Sequence, residues 1–207
     1  MIRRSELSHC GRIQAQRVRD LPVRIEGPHV VVRSSAPGDE RRFVEYFERN
    51  RAHLDPWEPP RPDGYYSESF WRRRLEKSHD ELARDQSLRL CILRKGDEDG
   101  PILGHANLSN FVRGAFQACH LGYSIDRRAE GKGLMHEALV AVIAHAFGPL
   151  ELHRVMANYV PTNERSGRLL RRLGFVVEGY ARDYLQLDGE WRDHVLTSLT
   201  NPAWRQP

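Results

Sequence analysis

The stretch that most restricts how this chain can fold runs from Cys119 to Phe147, "CHLGYSIDRRAEGKGLMHEALVAVIAHAF". Its first part, "CHLGYSID", reads as a strand. Its last part reads as a helix from about Gly133, because Leu139, Val142, Ile143 and Ala146 recur at i, i+3, i+4 and i+7. Between them lies a turn holding two glycines and a lysine. A strand that passes through such a turn directly into a helix requires an α/β layer. It also converges backbone N–H groups and the helix dipole on one point, which suits an anion. A Walker loop is excluded, since Lys132 lies between the glycines and no Ser or Thr follows. A dinucleotide fingerprint is excluded as well, because Leu-Met-His after Gly133 leaves the third glycine missing. Arg128-x-x-Gly131-x-Gly133 remains, a turn able to hold a pyrophosphate without a metal. Taken alone, the same residues read more simply as a plain strand-to-helix turn.

The flanking sequence extends the α/β pattern. "HVVVRSS" reads as a strand, followed by a helix from about Asp39 to Arg49 with Phe43, Tyr46 and Phe47 on one face. The proline-rich "HLDPWEPPRPDG" connects to a second helix, "SESFWRRRLEKSHDELARD", with Phe70, Leu75 and Leu82 as core positions. "LRLCILR", "ILGHANLSNF" and "FQACHLGYSID" are strands, the last two joined at "VRGA". After the glycine turn and its helix, "HRVMANYV" is a strand. "PTNERSGRLLRRLGF" is a short helix with Asn163 as N-cap, Glu164 in the first turn and Gly174 at its end. "FVVEGYARDYLQL" and "EWRDHVLTSL" form a hairpin on Asp188-Gly189. The order predicts one α/β domain, a mixed sandwich of sheet and helices.

The formal charge of +4 invites a nucleic-acid reading, but its location argues otherwise. Residues 1–24 carry six arginines against Glu6 and Asp20, which accounts for all of it. The basic character therefore belongs to an N-terminal arm, residues 1–22, expected to be mobile and solvated, with contact to RNA or an acidic partner as the alternative. The body is 23–207; residues 25–207 sum to zero. No apolar run approaches the roughly 18–20 residues of a membrane span, and the N-terminus has no apolar signal core. Cys10, Cys91 and Cys119 are an odd number at unrelated spacings, which suits a reducing cytoplasm better than a disulfide framework. "HEALV" lacks the second histidine of a zinc-protease helix, and His120, His153 and His194 are isolated, so no metal is expected. Trp57, with Pro56 and Pro59, reads either as lining an acceptor cleft or as a tryptophan anchoring the loop.

The R-x-x-G-x-G turn resembles the cofactor motif of the GCN5-related N-acetyltransferases, and the similarity continues downstream. "LHRVMANYVPTNERSGRLLRRLGF" resembles that family's fifth strand, Asn-x-x-Ser helix and Gly-Phe; "EGYARDYLQLDGEWRDHVL" resembles the closing hairpin of its ribosomal-protein members. "ERNRAHLDPWEP", "NLSNFVRGAFQACHLGYSI" and "GEWRDHVLTSLTNPAW" resemble the RimJ-type, alanine-specific branch. The resemblance spans roughly residues 23–204. It implies a single-domain acyl-CoA N-acyltransferase fold, with a mostly antiparallel sheet, splayed central strands and flanking helices. It also implies acetyl-CoA as co-substrate and, as acceptor, the N-terminal alanine of a small-subunit ribosomal protein. Another protein N-terminus or a small amine is the nearest alternative; a ribosome- or RNA-binding protein using the arm is the rival from another class.

The resemblance assigns cofactor contacts to Gly122, Tyr123, Ser124 and Ile125 along the strand. It assigns others to Arg128, Glu130, Gly131, Lys132, Gly133, Leu134 and Met135 in the turn, and to Asn158, Asn163 and Ser166 across the splay. Two departures bear on the chemistry. Asn158 stands where many relatives carry a glutamate base, and Leu170 where many carry a tyrosine acid. The ribosomal-protein branch implies substitutes: Ser166 bonding and protonating the sulfur, and Asp183, through water, taking the ammonium proton. Glu137 is a third catalytic candidate, although the first turn of a helix favours glutamate for dipole reasons alone.

Overall fold

The computed structural model describes residues 22–205; residues 1–21, and with them nearly all of the basic arm, lie outside the described part. Eight strands form one sheet: β1 (Arg24–Glu26), β2 (Val30–Ser34), β3 (Leu88–Arg94), β4 (Gly104–Val112), β5 (Ala118–Ile125), β6 (Arg154–Met156), β7 (Val176–Leu187) and β8 (Glu190–Thr200). Their order is β1-β2-β3-β4-β5-β6-β8-β7. Every pairing is antiparallel except β5 with β6, which is parallel. The mixed α/β fold and mostly antiparallel sheet expected from the sequence are present.

Helices cover both faces. On one lie α1 (Glu40–Arg49), the short α2 (Arg51–Leu54) and α3 (Glu68–Ala83). Phe43, Tyr46 and Phe47 of α1 are buried as their spacing predicts. Phe43 and Phe47 stack on Trp71 at 4.6 and 5.1 Å between ring centroids. Trp71, rather than the expected Phe70, is the fully buried aromatic of α3, because it shares one face with Leu75, Ser78 and Leu82, while Phe70 only packs against the rim of that cluster. Burial of each of these side chains contributes about 1.5–3 kcal/mol. The opposite face carries α4 (Leu134–Phe147) and α5 (Glu164–Arg172), whose buried residues merge with β3–β6 into the main core.

Two differences from the sequence reading shape the site. The strand expected over "HRVMANYV" pairs with β5 for only three residues, Ala118–Arg154, Cys119–Val155 and His120–Met156. Past Met156 the chain keeps its pairing with β8, through Ala157 N–H to Thr197 and Tyr159 with Val195, but no longer pairs with β5. The sheet therefore splays open beside Leu121–Ile125. Second, β1 adds an edge strand outside β2 that the sequence did not announce.

Candidate active site

The site is built around that opening. Side chains alternate along β5. Tyr123 therefore points to the α4/α5 side and Ser124 to the α1/α3 side, where its hydroxyl meets Tyr46 Oη at 2.9 Å. On the α5 side the Tyr123 hydroxyl lies 2.8 Å from Ser166 Oγ. Asn163 caps α5 as expected, its Oδ1 accepting from Ser166 N–H at 3.1 Å, and this cap fixes Ser166 in the first turn. Burial pushes the Tyr123 phenol up to about 12, so it is a neutral hydroxyl. Gly167 follows because the Tyr159 ring lies where a side chain would start: a Cβ there would approach it to 2.8 Å.

At the end of β5 the chain enters the glycine turn. Gly131 and Gly133 adopt φ of +72° and +76°, and a Cβ at either, or at Gly122, would meet nothing within 4 Å. The first intrahelical bond of α4 is Glu137 N–H to Gly133 C=O, so the N–H groups of Leu134 and Met135 have no carbonyl one turn back. Donors converging on open space fit a pyrophosphate, and the exposed strand backbone at Gly122 fits an extended polar arm. The turn is braced from behind. Buried Asp126 accepts from Arg49 Nε at 2.6 Å, Asn50 Nδ2 at 3.3 Å and Arg128 N–H at 2.8 Å. Asn50 Oδ1 in turn accepts from Arg127 N–H at 3.0 Å. Glu130 pairs with His53 at 3.2 Å and with Arg165 at 2.5 Å. Lys132 Nζ donates to Arg128 C=O, and Leu134 and Met135 are buried beneath the turn.

The other candidates separate. Asn158 donates to Tyr184 Oη at 3.0 Å and accepts from Thr197 N–H at 3.1 Å, so it ties the departing strand to the β7–β8 hairpin. Leu170 is packed in the core. Asp183 lies on a bulge of β7 between Ala181 and Leu185, exposed, with φ of +47°. Its N–H donates to Asp193 Oδ1 at 2.9 Å, and the bulge turns Tyr184 toward Asn158. Glu137 is not brought to this group. Its carboxylate accepts from the N–H groups of His29 and Val30 at 2.7 and 3.0 Å, three strands away from β5 at the start of β2, and these donors hold it below the usual carboxylate range although burial works against them. It anchors α4 to β2, apart from the Ser166–Tyr123 pair. Trp57 is 37% exposed at the end of a 3-10 turn over Asp55–Trp57, so it is no core anchor. Sequence reasoning missed the hydroxyl role of Tyr123, the Arg49–Asn50–Asp126 brace and Tyr184, each of which depends on a long-range partner.

A sheet gap leading to a glycine turn at a helix start, with two hydroxyls on its flank, defines an acyl-CoA-dependent acyltransferase. Residues 29–176 match the model of the acetyltransferase (GNAT) domain, and the chain belongs to that family, whose members use acetyl-CoA. It is 46% identical over 182 residues to the [ribosomal protein uS5]-alanine N-acetyltransferase of Escherichia coli (strain K12), covering 88% of this chain and 93% of the relative. Among solved structures it is similar to the ribosomal-protein-S5-alanine acetyltransferase of Vibrio fischeri, with TM-score 0.84 and 38% identity over 89% of this chain and 100% of that one. Mycobacterium smegmatis RimJ in complex with CoA-disulfide gives TM-score 0.78 and 28% identity, covering 90% and 88% of the two chains.

Proposed function

We propose that this enzyme acetylates the N-terminal α-amine of a ribosomal protein of the uS5 kind, at alanine, in the cytoplasm. The observation that carries the chemistry is the Ser166–Tyr123 hydroxyl pair on the flank of the sheet gap; the acceptor rests on the similarity to the two alanine acetyltransferases. Acetyl-CoA supplies an activated acyl carbon and a thiolate leaving group. The turn from Arg128 to Met135 holds the pyrophosphate, and Gly122–Ile125 offers strand backbone to the pantetheine arm.

The acceptor must reach the gap as a free amine. An α-amino group with pKa about 7.7–8.0 is roughly 10–20% neutral at pH 7, whereas a lysine near 10.4 costs nearly 5 kcal/mol to neutralise. As the nitrogen bonds to the acyl carbon and the carbon–sulfur bond breaks, Ser166 donates its proton to sulfur, with the Tyr123 hydroxyl supporting the serine oxygen. The amine loses two protons overall, one replacing that of Ser166 and one leaving to solvent through a carboxylate.

Intact-mass analysis of small-subunit ribosomal proteins incubated with the purified protein and acetyl-CoA tests the proposal. One added acetyl group, mapped to the α-amine of an alanine-starting protein, is expected. Acetyl groups confined to lysine side chains, or none, would overturn it.

A further inference from the structure

His120 is the last residue of β5 to pair with β6, opposite Met156, before the sheet opens. Cys119 and Leu121 on either side of it enter the main core beneath α4 and α5, so the His120 side chain lies on the α1/α3 side. The same alternation applies on β6. Val155 and Ala157 belong to the main core, which leaves Met156 and Asn158 on the α1/α3 side with His120. The vertex of the gap therefore carries an imidazole on one strand and the Asn158 amide on the other, both on the face opposite Ser166. Asn158 is committed to Tyr184 and to Thr197 N–H, and an amide takes no proton at neutral pH. His120 is half-buried, with Nδ1 enclosed and without a partner, which leaves Nε2 as the nitrogen able to reach solvent.

Nδ1 has a match on the neighbouring strand. Asn107 pairs with Gly122 and Ser109 with His120, so Asn107 and His120 are diagonal neighbours about 7–8 Å apart. Ala106 and Leu108 enter the main core, which puts Asn107 on the same face as His120, and its Oδ1 is also buried without a partner. One water accepting from His120 Nδ1–H and donating to Asn107 Oδ1 satisfies both groups. That tautomer leaves the lone pair on Nε2. Other titratable groups share this side. Arg89 lies beyond Asn107 on β3, His105 stands next to it on β4, Arg74 and Glu81 of α3 pair with each other, and Tyr184 and His194 meet on the hairpin across the gap. Burial, not any of these groups, lowers the ring's affinity for a proton below the ordinary histidine value, so His120 is neutral at pH 7.

We propose that His120, rather than the exposed carboxylate of Asp183, is the general base: its Nε2 takes the proton from the acceptor's α-ammonium at the vertex of the gap. The inference rests on the N-terminal acetylation reading above. R–NH3+ and neutral imidazole become R–NH2 and imidazolium. The amine then forms the nitrogen–carbon bond as the carbon–sulfur bond breaks, Ser166 protonates the sulfur, and the second amine proton returns to the serine oxygen. The imidazolium gives its proton to water. Base and acid stand on opposite faces of the sheet, so neither blocks the other.

The test uses the full chain, acetyl-CoA and an alanine-starting peptide. His120→Gln is expected to lower kcat/KM about 100-fold at pH 7, the low end for a general base. The deficit should shrink as pH passes about 8, where the acceptor is already neutral. In the parent, kcat/KM should fall on the acid side only as His120 itself takes a proton, below pH 6.5. In the variant, which must draw neutral amine from solution, the fall should begin near pH 8. Imidazole added to His120→Gly should return part of the activity. The parent's own profile stands even if both variants fail to fold. Histidine NMR of the parent adds a reading that needs no acceptor: the His120 ring signal should move when acetyl-CoA is added. Parental kcat/KM in His120→Gln, an acid limb near pH 8 in the parent, or a ring signal that acetyl-CoA leaves in place would overturn the assignment. A parent that leaves the peptide unacetylated removes the acceptor reading instead, and the ring signal still decides whether His120 faces the acyl group.

Discussion

At the residue scale the proposed chemistry depends on two hydroxyls sharing one hydrogen bond. Ser166→Ala removes the group proposed to protonate sulfur, and kcat is expected to fall about 100-fold, the low end for a positioned proton donor, with acetyl-CoA affinity nearly unchanged. Tyr123→Phe should cost less, and the double variant should cost little more than Ser166→Ala, because both changes delete the same interaction. Steady-state kinetics on the four forms checks this; fully additive losses would mean that the two hydroxyls act independently. Much of this was readable from the chain. Asn163 as cap and Ser166 in the first turn follow from a local pattern, Asn-Glu-Arg-Ser ahead of an amphipathic run. Tyr123 was not readable in the same sense, since its partner lies 43 residues away and nothing local distinguishes it from any strand tyrosine. Asp183 shows the opposite failure: its position was named from resemblance, while its left-handed backbone and exposure follow from a bulge held by Asp193.

At the element scale, the glycine turn joins β5 to α4 through residues whose conformations only glycine adopts without strain. A valine at Gly131 or Gly133 costs about 1–3 kcal/mol of backbone strain. It also projects a branched side chain into the space that the converging N–H groups face. Because nothing of the protein lies within 4 Å of that Cβ, the unliganded fold should survive with a modest loss in Tm. What should disappear is the thermal shift on adding acetyl-CoA, worth about 2.7 kcal/mol at a hundredfold excess over Kd in the parent. Differential scanning fluorimetry without added metal measures both. A parental shift in both variants would take the phosphate role away from the turn. The long periodic elements, such as α1 with Phe43, Tyr46 and Phe47, were legible because one side of the helix is plainly apolar. The end of β6 was not, since "HRVMANYV" keeps its strand character past Met156 while its neighbour withdraws. The loss of one of two hydrogen-bonding partners leaves no trace in composition.

Over the whole molecule, buried histidines set how the fold meets acid. Desolvation pushes His105 down to about 3 and half-buried His145 down to about 4, each from an ordinary value near 6.5. The unfolded chain therefore binds more protons below pH 6.5. Stability is full above that value and falls as pH drops toward 4, by about 1.4 kcal/mol per pH unit for each such histidine. Urea midpoints between pH 7 and 4.5 should show this slope, and His145→Gln should reduce it by one group's share; an unchanged slope would deny His145 its part. The three-pair ladder between β5 and β6 has an effect on the same scale. It makes the sheet a book with a short spine at Ala118–His120, whose leaves stand apart at the far end. The Arg165–Glu130 ion pair spans that open end, from the α5 leaf to the glycine-turn leaf. A clasp at the free edge of a book governs how wide it opens more than any stitch near the spine, so the width of the gap is expected to respond to Glu130→Gln, a change that touches none of the reacting atoms.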